Sequence, residues 1–176
     1  EEKPWFEWPE PLRDRHPEAI EQAMQMYMPR IRGRIMNQVR FQRDWMILRH
    51  YAAQKGVKLF GDLPIFVAKD SVDVWVRPHL FHHDVVAGVP PDYFSEDGQR
   101  WGTMLYNWDA HREEDWTWWR MRMARICGLF DLVRIDHFRG FEAAWAIPQD
   151  EETARNGQWM EGPSDDVLQA IIDVSG

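Results

Sequence analysis

Two short apolar segments, each ending in an aspartate, constrain the fold of this 176-residue chain more than any other feature. Residues 57–62 read VKLFGD and residues 129–136 read LFDLVRID. Each has the length and apolar content of a buried strand, and a helical pattern lies between them. Because such an alternation implies parallel strands joined by helical crossovers, the sequence predicts an α/β fold with these segments as two of its strands.

The segments before and between the two strands predict helices and one long loop. Residues 1–16 are an irregular lead-in. Residues 17–55 have helical periodicity, which we expect to be broken into two pieces near Pro29 and Gly33. Residues 63–109 are rich in Pro, Gly, Asp and aromatic residues, and we expect one long irregular excursion there.

The second half of the chain repeats this order of elements. A helix is predicted at about residues 111–128, an aromatic loop at residues 138–159 and a last helix after Ser164. Charged residues at the C-terminal ends of successive strands, followed by long loops, are typical of a (β/α) barrel active site. Since two strands cannot close a barrel, we interpret residues 1–176 as part of one catalytic (β/α)8 TIM-type barrel domain with long aromatic-rich βα loops. We expect the remainder of the barrel, or self-association, to cover its open strand edges.

Charge, cysteine content and hydropathy exclude several classes of protein. A net charge of −8 argues against nucleic acid as the main partner, because phosphate binding needs a basic surface. No apolar run approaches the roughly 20 residues of a membrane span, and the acidic start lacks the apolar region of a signal peptide. Cys127 is the single cysteine, which favours a reducing compartment. These features predict a cytoplasmic protein without a nucleic-acid or membrane partner.

The unusual feature of the composition is its eleven tryptophans. Large flat rings stack well on the C–H faces of sugars, which favours carbohydrate binding. A Trp-rich core explains the same number. Composition alone therefore leaves both explanations open.

Arg134 and Asp136 are two positions apart on the second predicted strand, which places both side chains on one face. A guanidinium beside a carboxylate orients it and favours its charged form, as a carboxylate nucleophile requires. A structural ion pair would have the same spacing. Asp62 ends the preceding strand and is expected to face the same pocket, although an aspartate that caps a turn fits equally well. His137 either hydrogen-bonds a polar ligand or satisfies backbone groups beneath the site.

The predicted long loop contains a second group of candidates. Residues 88–95 read GVPPDYFS and residues 99–102 read QRWG, so two prolines stiffen a segment with several rings and short polar groups. Such a loop suits a sugar subsite, and a packed surface loop without a ligand is the alternative. His79, His82 and His83 lack the framing of a zinc site, and no phosphate loop or nucleophile elbow is present. The sequence therefore predicts neither a metal nor a cofactor.

These motifs together resemble amylomaltase, the 4-α-glucanotransferase family (glycoside hydrolase family 77) of the α-amylase clan. The resemblance runs in order along nearly the whole chain. The stretches that carry it are residues 61–68, 70–75, 87–95, 99–102, 134–141, 145–148 and 156–159. It implies an enzyme of starch and maltodextrin metabolism that transfers α-1,4-glucan segments between maltooligosaccharides with retention of configuration.

The resemblance also implies roles for individual residues. Asp136 matches the family nucleophile, and Arg134 matches the arginine that orients it. His137 matches a residue of the donor site, and Asp62 one that binds the glucose ring at the cleavage point. The residues that match the lining of the donor and acceptor subsites are Asp92, Phe94, Gln99 and Trp101.

The sequence departs from the family pattern in five places, one of which is the absence of a match to a family Asp that stabilises the transition state. The family's acid/base Glu lies on the next barrel strand, and the chain stops before any segment that matches it. Because general acid catalysis contributes about 10²–10⁴-fold to a rate, we expect this chain alone to be close to inactive. The segment between Phe81 and Ala87 is shorter than in the family, Thr103-Met104 stands in place of Asn-Pro, and Ala144 replaces a common Tyr.

Two alternative functions remain open at the level of the sequence. An α-glucan hydrolase of the same clan would share Arg134 and Asp136. A non-catalytic glucan-binding fragment would have no need for an arginine and two carboxylates at adjacent strand ends. Residues 89–95 favour the transferase over the hydrolase by family analogy.

Overall fold

The computed structural model describes residues 3–175 as a mixed α/β structure with two separate sheets. The helices are α1 (Glu10–Arg13), α2 (Pro17–Gln54), α3 (Val72–Val76), α4 (Trp108–Glu113), α5 (Thr117–Leu129) and α6 (Asp165–Ser175). The strands are β1 (Phe60–Leu63), β2 (Val67–Ala68), β3 (Phe81–Val89), β4 (Gln99–Tyr106), β5 (Leu132–Ile135), β6 (Ala143–Pro148) and β7 (Gln158–Glu161). Short 3-10 helices cover Trp5–Glu7, Pro78–Leu80 and Phe138–Phe141.

The smaller sheet pairs β1 with β5 in parallel, as the sequence predicts. Asp62 lies opposite Arg134 in the register, and the amide of Asp136 donates to the carbonyl of Leu63 at 2.9 Å, one step beyond the end of the ladder. Both strands begin three residues later than predicted. The pairing brings the two predicted carboxylates to the same end of the sheet.

The larger sheet has five antiparallel strands in the order β2-β4-β3-β6-β7. The expectation of one irregular excursion over residues 63–109 is therefore wrong, since β2, β3 and β4 lie within it. The predicted loop at residues 138–159 likewise contains β6 and the start of β7. The register between β3 and β4 shifts twice, between Phe81 and Val86 and between Val86 and Gly88. These shifts break the alternation of apolar and polar residues by which an antiparallel strand is recognised in a sequence.

Helix α2 runs without a break through Pro29 and Gly33, so the prediction of two pieces is wrong. A proline inside a helix removes one backbone hydrogen bond and disfavours the helix locally. Contacts near the C-terminal end hold α2 against α5, where the Trp45 indole donates to the Leu129 carbonyl at 2.9 Å. The helix nevertheless continues through Pro29, and this hydrogen bond anchors its C-terminal part to α5.

The helix predicted at residues 111–128 is instead two helices, α4 and α5. The chain turns between them at Asp115 and Trp116, whose φ angles are 49° and 56°. Non-glycine residues rarely adopt positive φ, which is why spacing alone did not indicate this turn. Trp116 is buried there, and this burial fixes the corner.

Arg49 of α2 joins three elements of the fold. Its guanidinium donates to the carbonyls of Gly128 at 2.6 Å and Phe130 at 3.1 Å, beside the C-terminal end of α5, and pairs with Asp131 at 2.9 Å. Asp131 in turn accepts the amide of Leu59 at 2.9 Å, and this hydrogen bond together with Arg49 lowers the pKa of Asp131. Arg49 therefore ties α2 to the starts of both parallel strands.

Part of the tryptophan content serves the core. Trp116, Trp118 and Trp119 are buried with exposures of 6%, 4% and 0%, and the rings of Trp118 and Trp119 contact Tyr106 of β4. The core explanation is therefore correct for these three rings. Trp101 and Trp159 keep 38% and 48% of their surface exposed, which leaves both rings available to a ligand.

Candidate active site

Arg134 stands between two carboxylates at the end of the parallel sheet. One nitrogen of its guanidinium donates to Asp62 Oδ1 at 2.9 Å, and the other donates to Asp136 Oδ1. The three side chains are about half exposed, with relative exposures of 53%, 58% and 49% for Arg134, Asp62 and Asp136. The structure thus brings together the three charged residues that the sequence singles out, on a surface that solvent or a substrate can reach.

The local sequence explains why these side chains meet. Arg134 lies opposite Asp62 in the parallel register, so the contact crosses between neighbouring strands. Arg134 and Asp136 are two residues apart and share a face. Gly61 precedes Asp62, and a Cβ at this position would collide with the ring of Phe130. The glycine therefore lets Phe130 pack directly beneath the strand that presents Asp62.

His137 follows the predicted nucleophile in a left-handed conformation, with φ of 46°. Its ring lies edge to face with Trp101 at 4.8 Å between centroids and 6.0 Å from the ring of Phe66. Partial burial lowers the pKa of His137, the Asp136 carboxylate opposes this effect, and the Arg139 cation adds to it. His137 therefore favours its neutral form, which can both donate and accept a hydrogen bond.

Trp101 and Phe66 form an aromatic wall next to the charged residues. Phe66 lies 6.4 Å from Trp101, and the Trp101 indole donates to Gln99 Oε1 at 3.1 Å. Phe66 was not singled out as a site residue from the sequence, because it has no polar atom and lies outside the charged motifs. Gly140 completes this region, since a Cβ there would meet Ile65 at 2.8 Å and Phe66 at 3.2 Å.

Asp92 and Phe94 make contacts within their own loop. The Asp92 carboxylate accepts the amides of Phe94 and Ser95, each at 2.9 Å, which is an Asx-type turn. Phe94 and its neighbour Tyr93 are 92% and 97% exposed and contact each other edge to face at 5.5 Å. The hydrogen bonds and ring contacts of Asp92 and Phe94 thus stay within residues 92–95, and their predicted contact with a sugar stays a prediction.

His79 and His83, at and near the start of β3, have other partners. His79 pairs with Glu114 at 2.6 Å, and His83 lies 2.9 Å from the Pro78 carbonyl.

No cluster of three or more His, Cys, Asp or Glu in residues 3–175 is arranged to hold a metal ion. Cys127 is partly buried within α5 and packs against the core. Within the same described range, no helix has the length and apolar content needed to cross a membrane.

Comparison with known proteins assigns the fold and the family. A family model described as 4-alpha-glucanotransferase, glycoside hydrolase family 77, matches residues 1–175. The amylomaltase of Streptococcus agalactiae, solved in complex with acarbose, superposes with a TM-score of 0.94 over 99% of this chain and 37% of that one, at 38% identity. The 4-alpha-glucanotransferases of Thermus thermophilus and Solanum tuberosum, the latter named chloroplastic/amyloplastic, are 46% and 43% identical over 98% of this chain.

The fold is therefore the mixed α/β fold of an amylomaltase-type protein. The chain belongs to the 4-alpha-glucanotransferase family, which confirms the resemblance found in the sequence. It spans about a third of the length of the relatives it matches, 36% of the Thermus protein and 31% of the potato protein.

Proposed function

We propose that this chain supplies the nucleophile side of a retaining 4-α-glucanotransferase site. Asp136 attacks the anomeric carbon of an α-1,4-glucan, displaces the 4-hydroxyl of the leaving sugar and forms a covalent glucosyl ester. The 4-hydroxyl of a second glucan then attacks the same carbon and releases Asp136. The product is a maltooligosaccharide of new length with the original configuration.

The observation that supports this proposal is the pairing of one arginine with both strand-end carboxylates. Arg134 holds Asp136 in one orientation, which a nucleophile needs for attack along a defined line. The same guanidinium holds Asp62, which we assign to the hydroxyl groups of the glucose ring at the cleavage point. The carboxylate that attacks and the carboxylate that binds the ring are thereby fixed relative to each other.

The aromatic wall suits the neighbouring subsites. Trp101 offers an exposed ring on which a sugar face can stack, and His137 a polar edge beside it. Gln99 fixes the Trp101 indole by a hydrogen bond. We assign Asp92 and the exposed ring of Phe94 to the same glucan, at a subsite farther from the cleavage point.

The general acid is proposed to come from outside this chain. A retaining mechanism uses a second carboxyl group about 5–5.5 Å from the nucleophile, which protonates the leaving oxygen. Asp62 is engaged by Arg134 and assigned to substrate binding, so we place the acid/base Glu in the part of the relatives that this chain does not span. We propose that β1 and β5 are two adjacent strands of a (β/α)8 barrel, and that residues 63–109 form its subsite region. The cytoplasmic location stays a prediction.

The test is to incubate the chain with maltotriose and to read product lengths by mass spectrometry. We expect glucose together with maltopentaose and longer products, at a rate about 10²–10⁴-fold below that of a complete site. Asp136→Asn should abolish these products. Asp109→Asn, which changes an exposed ion pair with Arg112, is the matched control and should retain them.

The other outcomes identify the alternatives. Glucose and maltose without longer products would assign the chain to hydrolysis. If no turnover is detected, titration with acarbose, followed by tryptophan fluorescence, decides whether the site exists. Binding that Asp62→Asn weakens would mark an incomplete catalytic site, and binding indifferent to both Asp62→Asn and Asp136→Asn would contradict the proposed site.

A further inference from the structure

Arg122 of α5 reaches across to the backbone that follows β1. Its guanidinium donates to the carbonyl of Pro64 at 2.5 Å and to the carbonyl of Ile65 at 3.0 Å. The guanidinium carbon lies 5.0 Å from the ring of Trp118 and 5.4 Å from that of Trp119. Two aromatic faces therefore hold the cation where its fork meets two successive carbonyls.

Tyr106 of β4 completes the same arrangement. Its hydroxyl donates to the Ile65 carbonyl at 2.5 Å and lies 3.3 Å from the Arg122 guanidinium. Tyr106 is 1% exposed, and burial raises its pKa well above the ordinary value. The phenol therefore remains a donor at any ordinary pH. Hydrogen bonds from a cation and a buried hydroxyl meet on one short turn, residues 64–65, which we name the β1 turn.

The β1 turn lies between the two halves of the candidate site. Asp62, which pairs with Arg134, is two residues before it. Phe66, whose ring faces both His137 and Trp101, directly follows it. Any shift of these two carbonyls moves the ring-binding carboxylate, the aromatic wall, or both.

We propose that Arg122 is a positioning residue for the glucan site and acts through the β1 turn on Asp62 and Phe66. The inference rests on the proposed function for the identity of the ligand, an α-1,4-glucan. We call the hydrogen bonds from Arg122 to the two carbonyls of the β1 turn the clamp, and its existence does not depend on the identity of the ligand. Tyr106 supports the clamp, and the α5 helix supplies the rigid base from which Arg122 reaches the turn.

The first test needs no turnover. Arg122→Met keeps most of the side-chain length but removes every donor, and Arg122→Lys keeps the charge without the planar fork. Arg125→Met is the matched control, because Arg125 lies on the same helix and donates instead to Gln42 of α2 at 2.7 Å. Amide hydrogen exchange by NMR should be roughly tenfold faster at Ile65 and Phe66 in Arg122→Met, partly restored in Arg122→Lys and unchanged in Arg125→Met.

The titration of His137 is a second measurement, and it reports on the aromatic wall formed by Trp101 and Phe66. In Arg122→Met the NMR titration of His137 should move up toward the ordinary pKa of about 6.5, because a displaced Phe66 leaves the ring more hydrated. Asp136 and Arg139, the charges that act on His137, are the same in all variants. Unchanged exchange in the β1 turn together with an unchanged His137 titration would overturn the clamp.

Kinetics and binding separate this proposal from the proposed function. With maltotriose, Arg122→Met should lower kcat roughly ten- to hundredfold, and Arg122→Lys should recover part of it. If the sample shows no turnover, the affinity for acarbose is measured instead of kcat. The positioning role would be overturned if Arg122→Met speeds amide exchange in the β1 turn but leaves kcat and acarbose affinity unchanged. Failure of Asp136→Asn to affect turnover would instead contradict the proposed function, while the exchange result still decides the clamp.

Discussion

His111 is a buried residue with a polar ring and no good partner. It is 1% exposed, and neither ring nitrogen has a well-formed hydrogen bond within residues 3–175. The rings of Phe81, Tyr106 and Trp118 surround it at centroid distances of 6.4, 5.3 and 5.8 Å. Burial lowers the pKa of His111 to about 4, and the nearby Leu80 carbonyl offsets only part of this effect. The ring is therefore neutral in the folded protein at neutral pH.

This burial makes stability depend on pH. Between about pH 6.5 and pH 4 the unfolded chain binds a proton on His111 and the folded chain does not, so acid favours unfolding. The stability present at neutral pH should fall by roughly 3 kcal/mol as the pH drops through this window. Urea unfolding of wild type and His111→Phe at pH 7 and pH 4 measures this loss in the free energy of unfolding, which should be smaller in His111→Phe. An equal loss in both proteins would contradict the prediction.

Some contacts of the candidate site can be predicted from the sequence and others cannot. The contacts among Asp62, Arg134 and Asp136 follow from two local rules, the period of a strand and the common edge of parallel strands. The contact between Trp101 and His137 follows from neither, because it depends on how a hairpin of the second sheet lies beside the first. Such placement is a property of tertiary packing. The sequence therefore predicts Trp101 and His137 as site residues but does not predict that their rings are in contact.

At the scale of elements, β3 and α2 contain glycines in opposite surroundings. Gly88 of β3 lies between β4 and β6, where a Cβ would collide with the Gln99 carbonyl and the Ile147 side chain. Gly33 of α2 has nothing within 4 Å of the position of its Cβ. The first glycine is required by close backbone approach, and the second only weakens a helix.

Alanine at these two positions should change stability in opposite directions. Gly88→Ala should lower the free energy of unfolding by about 1–3 kcal/mol, since strands on both sides prevent relaxation. Gly33→Ala should raise it by about 0.5–1 kcal/mol through better helix propensity. Chemical denaturation of both variants beside wild type gives the comparison. Equal effects of the two substitutions would show that the packing around β3 does not decide the cost.

The elements also divide into predictable and unpredictable ones for physical reasons. The parallel strands were recognisable because each is a compact apolar run with a charged end. The register shifts between β3 and β4 break the alternation that identifies an antiparallel strand, and α2 continues through Pro29, where local helix preference alone predicts a break. Propensity identifies an element where local and tertiary preferences agree, and fails where packing opposes it.

At the scale of the whole molecule, much apolar surface is open. Phe60 and Leu132 on the two-stranded sheet are 65% and 49% exposed, and Met26 and Ile47 on α2 are 71% and 63% exposed. A cleft of about 860 Å³ lies beside β5, with Ile135, Phe138 and Leu168 among its lining. Surfaces of this kind are normally covered by another part of a protein.

We therefore expect the isolated chain to associate. Light scattering coupled to a sizing column should show species above 21.1 kDa, with more of them in added sulfate, which strengthens apolar association. Leu132→Lys should shift the distribution toward the monomer by placing a charge on the open strand. A monodisperse monomer of 21.1 kDa at all concentrations would contradict the prediction.

One guanidinium shared by two carboxylates has a consequence for how this protein can evolve. Arg134 contacts Asp62 and Asp136 through different nitrogens, so a change at one aspartate frees the arginine to move toward the other. The effects of substituting the two aspartates therefore do not add, and their coupling disappears when Arg134 is absent. We therefore expect the effect of a substitution at one of positions 62, 134 and 136 to depend on which residues stand at the other two.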